Sequence, residues 1–143
     1  YNLPPTHLIG VRNIDLAEKD SAHFSTKVGF EDKRPIGLHR DGYITLFPKA
    51  TSLVLVHEIG HSLYSQGVGR SFLSEELTTR VEDCYRIAKK SNKGFVSKYA
   101  KINSHEFFAE SYATYIDNRA WLFRRNPKLT EVMDEIMDYL ESK

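Results

Sequence analysis

The stretch from Thr51 to Ser65 constrains this chain more than any other. Leu53, Val54, Leu55, Val56, Ile59 and Leu63 would cover most of the circumference of a helix, which predicts a buried one closed by Gly67. Into that apolar surface the sequence sets His57, Glu58 and His61, in the run His-Glu-Ile-Gly-His. Imidazoles and a carboxylate are costly to bury without partners. Residues at i and i+4 stand about 5–6 Å apart at Cβ on one helix face. Two imidazoles so placed converge on one metal ion at zinc-ligand distances of about 2.0–2.1 Å. Glu58 is rotated roughly 100° around the axis. It reaches a water on the ion rather than the ion itself, which suits a general base. Gly60 costs about 1 kcal/mol against alanine inside a helix. A bare backbone there would let another element approach closely.

Two histidines do not complete a catalytic zinc site, which takes three protein ligands and keeps a position open. No further histidine lies between Ser62 and Arg70. The best source of a third ligand is Asn103-Ser104-His105-Glu106-Phe107-Phe108-Ala109-Glu110. Glu106 and Glu110 share a helix face at i and i+4. One carboxylate can ligate while the other orients an imidazole. Phe107, Phe108 and Ala109 predict that this part is packed inside, where two like charges repel unless a cation joins them. The same spacing also reads as a capping box from Asn103 to Glu106, with Glu110 solvated. His105 is a rival ligand on a different face.

Composition excludes some alternatives. The 143 residues fit one domain spanning 1–143, with 41% hydrophobic and 27% charged residues, ordinary for a globular chain. Twenty Lys+Arg against 19 Asp+Glu argue against a dedicated nucleic-acid binder. Lys89-Lys90 and Arg124-Arg125 fall at expected helix ends, where the dipole accounts for them. The single cysteine, Cys84, forbids an internal disulfide and reads as a small buried hydrophobe. No run is long enough for a membrane span. The chain opens at Tyr1 without a signal-like segment, as a mature or trimmed form would. A monomer is expected.

The remaining pattern predicts an α+β chain, with a small mixed sheet near the N-terminus and a mainly helical C-terminal half. Tyr1 to Thr6 is a lead-in arm. His7 to Arg12 reads as a short buried strand, Asp15 to Val28 as a weak helix ended by Gly29, and Phe30 to Ile36 as a strand weakened by Pro35. Asp41-Gly42 signals a turn into the strand Tyr43 to Phe47, ended by Pro48. That strand is either an ordinary core strand or a sheet edge above a cleft, where an extended peptide could add. Gly67 to Ser71 is a loop. Leu77, Val81, Tyr85 and Ala88 mark an amphipathic helix from Glu75 to Lys90. Ser91 to Lys101 is irregular, Glu106 to Arg124 helical, and Asn126-Pro127 opens a last helix striped by Leu129, Val132, Met133, Ile136, Met137 and Leu140.

The run His57 to His61, followed by Tyr99-x-x-x-Asn103-x-x-Glu106-Phe107-Phe108-Ala109-Glu110, resembles the catalytic domain of anthrax lethal factor and its relatives. These include the small secreted Pro-Pro endopeptidases of clostridia and bacilli. The likeness spans about Gly37 to Asn118. It implies a zincin-like metallopeptidase fold and one Zn2+ ion held by His57, His61 and Glu106. It further implies Glu58 as general base, Tyr99 as a donor to the oxyanion, and Glu110 as support for a histidine ligand. His105 departs from the family pattern and is expected to face the substrate cleft. The expected function is a stand-alone secreted zinc endopeptidase acting on a protein or peptide, with Pro-Pro bonds one candidate target. The alternative is a zinc-holding, catalytically inactive binding module.

Overall fold

The chain alternates local signals that need no partner with segments that only long-range pairing can place. The computed structural model describes residues 2–17, 37–64 and 72–143. Three short strands come first: β1 (Asn13–Leu16), β2 (Gly37–Arg40) and β3 (Tyr43–Leu46). Four helices follow: α1 (Ser52–Tyr64), α2 (Glu75–Ser91), α3 (Ser104–Arg125) and α4 (Pro127–Glu141). The protein is thus α+β and mostly helical, with a small mixed sheet.

The hairpin between β2 and β3 turns at Asp41 and Gly42, both at positive φ (49° and 87°). Two such residues make the tight turn that the strand twist favours. β3 pairs antiparallel with β2 and parallel with β1, in the order β1-β3-β2. The strand expected as a sheet edge is therefore the middle one. Among the described residues, β2 is the edge that lies against α1. Gly37 is where they touch: a Cβ there would stand 2.7 Å from Val54 Cγ1 and 3.2 Å from Glu58 Cγ.

The N-terminal readings need correction. Pro4-Pro5 starts a 3-10 turn, Pro5–Leu8, where a strand from His7 to Arg12 was expected. Proline fixes φ and lacks the N–H that a ladder requires. The strand begins later, at Asn13, and includes Asp15 and Leu16, the expected start of a helix. All four residues of β1 are exposed, so no buried face betrays it in the sequence. The remainder of that expected helix with Gly29, the strand from Phe30 to Ile36 and the loop from Gly67 to Ser71 lie outside the described residues, as does Gly67 as a helix stop.

The helical half follows its local signals. Ser74 caps α2 by accepting the Leu77 N–H, and Asn92 ends it in the left-handed region. Leu77, Val81, Cys84 and Ala88 form its buried stripe. Asn103 caps α3, and Asn126 caps α4 ahead of Pro127. α3 runs as two helical pieces joined at Asn118, whose backbone is non-helical. The Asn118 side chain accepts the Trp121 N–H and so caps the second piece. None of the helices is long and apolar enough to cross a membrane, among the described residues.

The core is one cluster running from Ile44 through α1, α2 and α3 to Leu140. Its centre is the contact of α1 with α3. A Cβ on Gly60 would lie 3.1 Å from the Ala109 Cα and 3.0 Å from Tyr112 Cδ2, so the two helices touch nearly backbone to backbone. Tyr64 stacks on Phe108, and Phe108 on Tyr112 (ring centroids 4.8 and 6.0 Å apart). Helix α1 is buried only over its C-terminal two turns; Leu53 near its start is 39% exposed. Its apolar start is thus less enclosed than its composition predicts.

Candidate metal centre

Helix geometry and the α1–α3 contact together decide where two imidazoles and three carboxyl groups meet. His57, Glu58 and His61 come from α1, and Glu106 and Glu110 from α3. The ligand atoms of His57, Glu58 and His61 all lie within 4.8 Å of one another, a group that can hold a metal ion. Glu106 stands closer still to both rings. Its Oε1 is 2.9 Å from His61 Nε2 and its Oε2 is 3.4 Å from His57 Nε2, whereas Glu58 Oε1 is 4.0 Å from His57 Nε2. Ligand atoms about 2.0–2.1 Å from a tetrahedral ion are about 3.3 Å apart. Each Nε2 stands near that spacing from a Glu106 oxygen, and Glu58 Oε1 stands farther than that from His57 Nε2.

The two carboxylates of α3 meet different partners. Glu106 turns toward the two rings while its backbone N–H is capped by Asn103 Oδ1 at 2.8 Å. The capping reading holds for the backbone, and the side chain is left free for the histidines. His57 Nδ1–H donates to Glu110 Oε2 at 2.8 Å, which directs Nε2 toward Glu106. Ser97 Oγ donates to Glu110 Oε1 at 2.6 Å, and Ala100 N–H donates to Ser97 Oγ at 3.2 Å. Ser97 was not legible beforehand: it is 13 residues from Glu110, and no spacing rule links them.

The electrostatics show a site short of positive charge. Burial lowers the proton affinity of His57, but hydrogen bonds to Glu106 and Glu110 and the Glu58 charge override it, raising its pKa to about 10. Burial pushes Glu106 up, but the two histidines outweigh it and hold it at about 2. Glu110 is likewise lowered, with His57 and Ser97 outweighing its burial. Glu58 is raised, chiefly by burial. Its Oε2 is buried and has no hydrogen-bond partner among the described residues. Three carboxylates around two imidazoles favour any cation, and a divalent ion supplies more charge than the proton that His57 binds.

The other expected residues lie in the first turn of α3 and in the 3-10 turn before it. Tyr99 opens the 3-10 turn Tyr99–Lys101, which leans on α3 and begins two residues after Ser97; the phenol is half-buried. His105 packs edge-on against Tyr64 (5.2 Å between centroids). His39, unmarked by any sequence pattern, stacks at 6.2 Å on His61 from the edge strand β2. The Gly42 N–H donates to His39 Nε2 at 3.0 Å. Cys84 is buried, as its helical pattern predicts. No protein-family model matches this sequence, and no curated protein matches it either.

Proposed function

We propose that this protein is a zinc-dependent endopeptidase with a zincin-like catalytic domain of the lethal factor kind. His57, His61 and Glu106 would hold one zinc ion. Two imidazoles and one carboxylate are a donor set that catalytic zinc uses. The observation that carries the proposal is Glu58: a buried carboxylate with one oxygen unpartnered among the described residues, beside two imidazoles that both approach Glu106 and 4.0 Å from His57 Nε2.

Zinc bound there supplies Lewis acidity toward the scissile carbonyl and a nearby water. Glu58 takes the proton of the attacking water and returns it to the leaving amine. Its burial raises its basicity, which suits a base working near neutral pH. Glu110 fixes the His57 ring, and Ser97 fixes Glu110. Tyr99 is assigned as the donor that stabilises the oxyanion. An extended peptide would pair with the edge of β2, which crosses α1 beside Glu58, rather than with β3. Secretion and Pro-Pro selectivity belong to the same proposal and rest on the motif likeness.

Elemental analysis of the purified protein should find one zinc per chain. Incubation with a peptide library, read by mass spectrometry, should find internal cleavage. Glu58→Gln should retain zinc and lose about 10²–10⁴-fold in rate. Absence of stoichiometric zinc would sink the site. Zinc without cleavage of any peptide would leave the inactive binding module as the better reading.

A further inference from the structure

A second feature lies on the other side of Ser97. The C-terminal end of α2, the segment leading to Tyr99, and the junction of α3 with α4 enclose an open groove of about 810 Å³. That is within the roughly 300–1,000 Å³ of ordinary ligand clefts. Six cations line it: Lys93, Lys98, Lys101, Arg124, Arg125 and Lys128. No carboxylate does among the described residues. In a chain of net charge +1, this is a marked local excess.

Helix ends explain only part of it. Arg124 and Arg125 complement the C-terminus of α3. Lys98 belongs to no helix, and Lys128 stands in the first turn of α4, the pole that a cation should avoid. Internal pairing does not neutralise the cluster. Lys128 Nζ has Glu131 at 3.9 Å, while Lys101 and Arg125 lie over the rings of Phe95 and Trp121. Lys93, Lys98 and Arg124 have no carboxylate partner among the described residues.

The floor narrows the choice of ligand. It is apolar, formed by Ile87, Ala88, Val96 and Pro127, with Ile87 60% exposed. A free phosphate has no use for such a floor. A single nucleic-acid strand needs exposed aromatic faces for its bases, and the one aromatic lining the groove, Phe95, is buried. We propose that this groove binds an acidic peptide segment, its carboxylates on the cationic rim and an apolar side chain on Ile87 and Pro127. The site does not require the peptidase reading. Because Ser97 both lines the groove and holds Glu110, a bound segment would rest against the loop that orients His57.

The test is fluorescence anisotropy with the full chain and a labelled Asp/Glu-rich peptide carrying one central leucine. Binding should weaken with added salt. It should also fall at least about tenfold in the triple variant Lys93→Glu, Lys98→Glu, Arg124→Glu, whose three side chains are exposed. The Asn/Gln analogue of the peptide should not bind, and replacing its leucine by serine should weaken binding. These two peptide comparisons use the unaltered protein, so they decide the matter even if the triple variant misfolds. Equal binding of the neutral analogue, or undiminished binding to a folded triple variant, overturns the proposal. So does tighter binding of a single-stranded oligothymidine than of the peptide.

Discussion

The two pieces of α3 carry the same chemistry in different surroundings. Before Asn118, Glu106 and Glu110 meet two imidazoles in a half-buried group that also contains the buried Glu58. After it, Arg119 forms a two-pronged pair with Asp134 of α4 at 2.9 and 2.5 Å in an exposed position, and the Tyr115 hydroxyl of the first piece donates to the same carboxylate. The exposed network is balanced, and water screens it. The half-buried one has carboxylates in excess and is less exposed to solvent, so it gains from an added cation. A short distance between opposite charges therefore says little about function. Imbalance under burial says more.

The comparison can be broken where the effect should be largest. Glu110→Ala should weaken zinc binding by about 10–100-fold, with Ser97→Ala at the lower end, both by competition with a chelator. Unchanged affinity in both would make the His57–Glu110–Ser97 chain mere packing. The next effect concerns protons. Against its burial, Glu106 and Glu110 raise the His57 pKa to about 10 in the metal-free protein, so a metal entering at pH 7 should displace a proton from it. Calorimetry in buffers of differing ionisation enthalpy should report about one proton released, and apparent affinity should climb as pH rises toward 10. No release would mean that His57 is already neutral and that its hydrogen bonds to Glu106 and Glu110 do not hold a proton there.

Smaller effects sharpen the contrast. Gly60→Ala gains about 1 kcal/mol of helix propensity but forces a methyl against Ala109 and Tyr112, at about 1–3 kcal/mol. Urea unfolding should show a net loss of stability; a gain would reveal slack between α1 and α3. The smallest change should come from Arg119→Ala. Its melting temperature should shift less than that of Gly60→Ala in the same buffer, because a solvent-exposed pair contributes little. A larger shift would erase the distinction between the two pieces.

Much of this was legible where the determinants are local. His57, Glu58 and His61 need only helical spacing to converge, and Asp41-Gly42, Ser74 and Asn126-Pro127 mark turns and caps within a few residues. Glu106 and Glu110 were legible as a pair, but their distance from the histidines follows from packing. What escaped depends on partners far along the chain. β1 has no buried face, so nothing in Asn13–Leu16 announces a strand until β3 pairs with it. The same pairing makes β3 central rather than an edge. Ser97 and His39 are ordinary residues made significant by where the backbone carries them. Of the cations around the groove, Arg124 and Arg125 read as helix-end residues and the others carried no signal, because only the tertiary fold collects them.

The seam at Gly60 has a wider consequence. Where two helices meet with no side chain between them, the interval between their facing groups is set by main-chain bulk and resists gradual adjustment. Side chains around the seam can repack to accommodate a change. The gauge of the centre is less forgiving: one methyl at that crossing presses on the Ala109 backbone, one residue from Glu110.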